Sequence, residues 1–185
     1  MSSAAVKKTV KLVAIGVGLL PALWSLPADA MPKPGDARPS VRLTDAWART
    51  VETRALGDKP LLVVYEDKDS ATQNQILKDE LSRLAKGDRY KKAMTLLAIA
   101  DVSNYDFWPA RGFVKDAIKE ESSKAGTPIY CDWNGSVRRA FGLREGASNV
   151  VLYGRDGRVV FARHGTVPAE GRAELIRLLR IQLDG

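Results

Sequence analysis

Two uninterrupted apolar runs organise the middle of the chain. Residues 61–65 (LLVVY) follow the turn residues Gly57, Asp58 and Pro60, and residues 94–100 (MTLLAIA) precede Asp101, Ser103 and Asn104. Short apolar runs bounded in this way predict strands buried on both faces. Between them the spacing changes. After EDKDSATQ, the residues Ile76, Leu77, Leu81, Leu84 and Ala85 recur with helical periodicity, so an amphipathic helix joins the two strands. Asp69 or Ser70 would cap the start of this helix and Gly87 would end it.

The alternation continues downstream. Pro109 suits the first turn of a second helix, whose predicted apolar face is Phe113, Val114, Ala117 and Ile118, with Glu120 and Lys124 as an exposed i,i+4 pair. Residues 128–131 predict a third short strand. Asp132-Trp133-Asn134-Gly135 reads as a turn, after which Ser136 can cap a short helix through Phe141. Residues 149–153 and 158–162, separated by Gly154-Arg155-Asp156-Gly157, predict a β-hairpin. Pro168 opens a last helix with the stripe Leu175, Ile176, Leu178, Leu179 and Leu183. Near the start, Val41 and Leu43 alternate around Arg42 as a short strand, after an extended, proline-rich lead-in at residues 31–40. Strands alternating with helices place parallel strands at the centre of one sheet with helices on both faces, and the hairpin adds an antiparallel pair at its end.

The first thirty residues read differently. Lys7, Lys8 and Lys11 form a positive region, residues 12–26 are apolar apart from Ser25, and Ala28-Asp29-Ala30 offers a small-x-small cleavage site before Met31. The apolar run of about fifteen residues is shorter than the roughly 20 that a membrane span needs. Residues 1–30 are therefore expected to be a cleaved export signal, leaving the lead-in 31–40 and one domain at 41–185. Left uncut, the same segment would be an anchor, and it is the only expected membrane contact. Cleavage lowers the formal charge from +7 to +5, with 26 basic residues against 21 acidic ones. The basic residues form no stripe and accompany no nucleic-acid motif, so nucleic acid is not an expected partner.

Several segments resemble thioredoxin-like proteins: PGDARPSVRLTDAW, GDKPLLVVYEDKD, DRYKKAMTLLAIADV, Trp133-Asn134-Gly135, and above all GASNVVLYGRDGRVVFARHG with the helix that follows. The chain is most similar to the YtfJ-type periplasmic proteins, whose function is not established. The resemblance spans nearly all of residues 35–183. It implies a thioredoxin-like three-layer α/β/α sandwich with a mixed central sheet ending in a β-hairpin and C-terminal helix. It also implies where redox chemistry would sit: a Cys-x-x-Cys pair after the first core strand, and a cis-proline before the hairpin. The corresponding residues here are 66–72 (EDKDSAT) and Ala147-Ser148-Asn149, without sulfur and without proline. Dithiol exchange needs one thiolate to attack and a second thiol to release the mixed disulfide, and neither is available at that position.

The remaining candidates each carry two readings. Asp67, Lys68, Asp69, Ser70 and Thr72 occupy the strand's carboxyl end, where ligands of open α/β sheets bind, or they form a solvated loop with a helix cap. Tyr105, Phe107 and Trp108 form an exposed contact patch or pack beneath the second helix. Ser148 and Asn149 complete the edge that these loops would share. Trp47, Tyr90 and Trp133 read as core or turn packing. Cys131, the sole cysteine, is either a lone reactive thiol of an oxidoreductase or peroxidase or a small buried residue ending its strand. His164 is the sole histidine and reads as a half-exposed strand end. Ser136, His164 and Asp132 make a triad only on paper, since no nucleophile-elbow motif supports it. One histidine and one cysteine exclude ordinary zinc ligation, no phosphate-binding loop is present, and no metal or cofactor is expected. The functional expectation is a non-catalytic envelope protein that binds a protein or peptide partner.

Overall fold

The computed structural model describes residues 31–86 and 93–184. The predicted signal, Gly87 and Tyr90 lie outside the described residues. In chain order the elements are β1 (Arg42–Thr44), β2 (Thr50–Glu52), a 3-10 turn (Thr53–Leu56), β3 (Leu61–Glu66), α1 (Gln75–Ala85), β4 (Thr95–Asp101), a second 3-10 turn (Ser103–Tyr105), α2 (Ala110–Ala125), β5 (Ile129–Asp132), α3 (Ser136–Phe141), β6 (Asn149–Tyr153), β7 (Val159–His164) and α4 (Ala169–Asp184). The main sheet runs β5-β4-β3-β6-β7, with β3, β4 and β5 parallel and β6 and β7 antiparallel to their neighbours. The two parallel crossovers, through α1 and α2, advance in the same direction along the sheet, so their right-handedness puts both helices on one face.

Alternation along β3 sorts the core. Leu61, Val63 and Tyr65 face one way, packing with Leu97, Ile99, Val151 and Tyr153 under β1 and α3. Phe141 of α3 meets Tyr153 edge-on, with ring centroids 6.1 Å apart. Leu62 and Val64 face the other way, packing with Val150, Leu152 and Phe161 under α1 and α4. The four-residue spacing of Leu175, Leu179 and Leu183 keeps one stripe of α4 on the sheet. Both margins of the main sheet are covered by the N-terminal region. Asp45 bridges to Tyr130 beside β5, and Ala37 bridges to Arg158 beside the start of β7. The lead-in is paired with this margin, Gly35 N donating to Val159 O at 2.9 Å, but it is not extended throughout: it turns at residues 33–36, where Asp36 N donates to the Lys33 carbonyl and Gly35 has φ 94°.

Five features depart from the sequence pattern. Ser136 does not cap α3 but opens it, with Gly135 at the cap position in left-handed backbone, φ 68°, and no side-chain cap. β2 was not expected; it pairs with β1 after a tight turn in which Ala48 has φ 65°. α1 starts at Gln75 and is not capped by Asp69 or Ser70, because Asp67 and Ser70 satisfy each other. Ser70 N donates to Asp67 Oδ1 at 2.7 Å, and Asp67 N donates to Ser70 Oγ at 3.0 Å. Such local side-chain bonds offer the backbone an alternative to a helical turn. α2 packs the half-buried Val114 and Ile118 and the buried Ser122 inward and turns Phe113 and Ala117 outward. Ile76 is also exposed, leaving Leu77 as the buried anchor of α1. Among the described residues, no helix is long and apolar enough to cross a membrane.

Candidate functional site

The strand directions bring the carboxyl ends of β3, β4, β5 and β7 and the amino end of β6 to one end of the sheet. All three parallel strands finish on a carboxylate: Glu66, Asp101 and Asp132. Alternation sends these three groups to opposite faces, and two separate polar clusters result.

The first cluster joins the loop after β3 to the loops before β6 and after β7. Asn74 is buried at its centre. Its Nδ2 donates to Ser148 Oγ at 2.8 Å and to the Gly165 carbonyl at 2.9 Å, while its Oδ1 accepts from Val167 N at 2.8 Å. Ser148 Oγ donates to Glu66 Oε1 at 2.7 Å, and Gln73 Oε1 accepts from Ser148 N at 3.1 Å. Lys78 Nζ sits 2.8 Å from Glu66 Oε2 and also donates to the Ala71 carbonyl. The negative charge of Glu66 is thus balanced, and one side chain holds three loops. A fully satisfied network of this kind rigidifies what it joins. A shallow pocket of about 130 Å³ opens beside it, bounded by Thr72, Ile76, Val167 and Arg172.

The second cluster lies on the opposite face, under α3. Tyr65 Oη is 3.1 Å from Asp132 Oδ2, which also accepts from Arg138 N at 3.0 Å. Arg138 Nε stands 3.8 Å from Asp101 Oδ2, and its Nη1 pairs with Glu145 at 2.9 Å. Burial, reinforced by Asp132 and Asp101, drives the Tyr65 phenol well above its ordinary range, so it remains a proton donor here.

The sequence-predicted binding residues divide accordingly. Lys68, Asp69 and Thr72 are exposed and Asp67 is half-buried. Ser70, Ser148 and Asn149 are fully buried and turned into the protein. Asn149 closes its own loop: its Oδ1 accepts from Arg144 N, and its Nδ2 donates to the carbonyls of Arg144 and Ala147. Tyr105 is half-buried against the cluster around Val102, whereas Phe107 and Trp108 stand in solvent. Trp47 is partly exposed beneath the Arg49 guanidinium, and Trp133 is half-buried beneath that of Arg111.

Cys131 pairs in register with Ala100 and is covered by Val114 and Ile118 of α2, with 6% of its surface exposed. Burial, with a contribution from Asp45, pushes its thiol up to about 11. His164 is exposed at the end of β7, with Nε2 3.3 Å from Arg144 Nη1. Asp132 and His164 lie on opposite margins of the five-stranded sheet, about 19 Å apart at four strand spacings, so the paper triad does not assemble. Among the described residues, no group of three or more His, Cys, Asp or Glu side chains is placed to hold a metal ion.

Residues 66–182, well over half of the chain, match the family described as a bacterial protein of unknown function, YtfJ_HI0045. The chain belongs to this family. The solved structures similar to this YtfJ-family chain share the thioredoxin-like fold. A protein described as the thiol:disulfide interchange protein DsbE of Chlorobium tepidum is 18% identical, with 82% of this chain and 99% of that chain covered, at a TM-score of 0.63. A thiol peroxidase from Chromobacterium violaceum is 15% identical over 82% of this chain and 88% of that chain, at 0.57. The exposed lipoprotein thioredoxin of Streptococcus pneumoniae is 14% identical over 77% of this chain and 98% of that chain, at 0.54. No curated protein matches the YtfJ-family chain in sequence.

The network around Asn74 was not anticipated. Gln73 and Asn74 gave no periodic signal, and Glu66 and Lys78 are separated by a loop whose path the sequence does not specify. The three strand-terminal carboxylates were a readable signal: each ends an apolar run, and an acidic residue there marks the polar end of the sheet.

Proposed function

We propose that this chain is a non-catalytic thioredoxin-like protein of the cell envelope, exported by its first thirty residues, which binds a protein or peptide partner at the carboxyl end of its sheet. The observation that carries this reading is the state of the loop after β3. It holds no sulfur, and its two carboxamides, Gln73 and Asn74, are fastened to Ser148 and to the loop after β7. The binding surface is what this network holds in place and leaves outside: Lys68, Asp69 and Thr72, flanked by Asp67 and by Tyr105 on the neighbouring loop. Ser70, Ser148 and Asn149 serve it as supports. A rigid polar edge of this kind recognises a partner with little ordering cost.

The rival reading, a single-cysteine oxidoreductase or peroxidase, needs an accessible thiolate. A buried thiol raised to about 11 weighs against it. The test of the binding reading is capture from envelope extract with the natural protein and with a Lys68→Ala/Asp69→Ala/Thr72→Ala variant. The natural protein is expected to retain a discrete partner that the variant loses. Equal recovery by both would remove this surface from consideration.

A further inference from the structure

The cover that the N-terminal region gives the β7 margin is partial. Along the start of β7 the lead-in lies as an added strand. Gly35 N donates to the Val159 carbonyl at 2.9 Å, Val159 N to the Asp36 carbonyl at 2.9 Å and Arg38 N to the Gly157 carbonyl at 2.8 Å. The turn at residues 33–36 ends this pairing at Val159. Beyond it, the register decides which main-chain groups are used. Gly165 N donates to the Ser148 carbonyl at 2.8 Å, and the pairs alternate from there. Arg163 and Phe161 bond inward to Val150 and Leu152, whereas Ala162 and His164 turn their N–H and C=O groups away from β6. Among the described residues nothing bonds to the N–H of Ala162 or His164, and the Ala162 carbonyl takes only a 3.3 Å contact from the Arg163 guanidinium. The bulge of this strand pair lies at Leu152/Tyr153, so the segment from Phe161 to His164 keeps regular ladder geometry.

Charge flanks this open edge on both sides, and it has one sign. Phe161 packs under α4 and Ala162 under α3, so alternation sends Arg163 to the α4 side and His164 to the α3 side, where Arg144 Nη1 reaches its ring at 3.3 Å. Arg144, Arg163 and His164 are all exposed. The Arg163 guanidinium rests over the Phe161 ring at 5.6 Å, and among the described residues no carboxylate pairs with either arginine. Elsewhere on the molecule exposed arginines do find one: Arg42 and Arg54 share Glu52, and Arg111 has Asp106.

We infer that the outer edge of β7, from Phe161 to His164, takes an acidic, extended peptide segment as a further strand of the sheet, its carboxylates meeting Arg163 on one side and Arg144 on the other. An added strand sends successive side chains to opposite faces, so two consecutive acidic residues lying along Ala162–His164 reach both arginines. The outward main-chain groups of Ala162 and His164 supply the ladder, and the arginines select the sequence. A second copy of the chain suits this edge poorly. Two such edges side by side bring Arg144 and Arg163 against their own kind, and like charges on an edge oppose that pairing. An acidic segment instead neutralises both. This contact is separate from the Lys68–Asp69–Thr72 surface and does not rest on it.

The test is NMR on nitrogen-labelled protein purified after expression of the full chain, titrated with the peptide acetyl-Thr-Val-Glu-Glu-Val-Thr-amide to about 1 mM, a range that reaches the weak affinity of so short a ladder. The resonances of residues 161–165 are expected to shift, and solvent exchange of the Ala162 and His164 amides to slow by about threefold or more at the end of the titration. The Arg144→Glu/Arg163→Glu variant, changed only at exposed positions, is expected to bind at least about tenfold more weakly at an unchanged melting temperature. The same peptide N-methylated at its central residues keeps its charge but loses its donors on both edges, and is expected to give no protection. Four results would each overturn the inference. They are an absence of shifts at residues 161–165, equal binding of the N-methylated peptide, equal binding by the double variant, or slow exchange of the Ala162 and His164 amides in the free protein that quickens on dilution, which would give the edge to a second copy.

Discussion

Replacing Asn74 by alanine removes three hydrogen bonds that fasten three loops. After truncation, Val167 N is left without its acceptor in a position where the residue is fully buried. An orphaned buried donor costs about 1–3 kcal/mol. The Gly165 carbonyl is half-buried and can turn to water, and Ser148 Oγ keeps its bond to Glu66, so these two losses add about 0.5–1 kcal/mol each. The sum is a destabilisation of about 2–5 kcal/mol, large for a single polar side chain. With a urea slope of about 2 kcal/mol per molar, the unfolding midpoint should fall by roughly 1–2.5 M at unchanged slope. Ile76→Ala, two residues away and exposed, is the control and should shift the midpoint only slightly. If Asn74→Ala moved the midpoint no further than this control, the network would not be holding the loops, and the rigidity ascribed to the binding edge would be lost with it.

Ala48 has a positive φ in the turn that Asp45 organises through bonds to Trp47 N, Arg49 N and the Arg49 guanidinium. Left-handed backbone is unfavourable for a residue with a Cβ, so Ala48→Gly should stabilise the protein by about 0.5–1 kcal/mol in urea unfolding. Cys131 is a group whose folded pKa is raised above its unfolded value, so its contribution is fully present below about 9 and is lost as pH climbs through about 11. Unfolding measured between pH 8 and 11 should therefore show a steeper loss of stability in the natural chain than in Cys131→Ala. The buried phenols of Tyr65 and Tyr153 leave a residual slope in both, because their pKa values are raised as well.

The fold was legible wherever hydrophobic periodicity was strong. The runs at 61–65 and 94–100, the hairpin around Asp156 and Gly157, and the leucine stripe of α4 all became the expected elements, because each buries a continuous face and has no competing conformation. Failures came where polar side chains decide the backbone. Asp67 and Ser70 each suit a helix cap, and only their mutual bonding shows why the helix waits until Gln75. β2 is three residues long and has no periodicity of its own; its existence depends on the Asp45 turn and on pairing with β1. On α2 the triplet Phe113, Val114 and Ile118 fits two overlapping helical faces. Only the position of the sheet selects the Val114 face and strands Phe113 in solvent. The loops of the candidate edge do meet at one end of the sheet, but sequence offered no means of telling Ser148 and Asn149, which point inward, from Lys68 and Asp69, which do not.

The proposed function requires that this thioredoxin-like scaffold perform no thiol chemistry in its native state. Insulin reduction and peroxide consumption by the purified protein, each compared with Cys131→Ser, address it most directly. Both rates should equal the protein-free background and be unchanged by the substitution. Turnover above background that disappears with the Sγ of Cys131 would instead make the protein a single-cysteine enzyme.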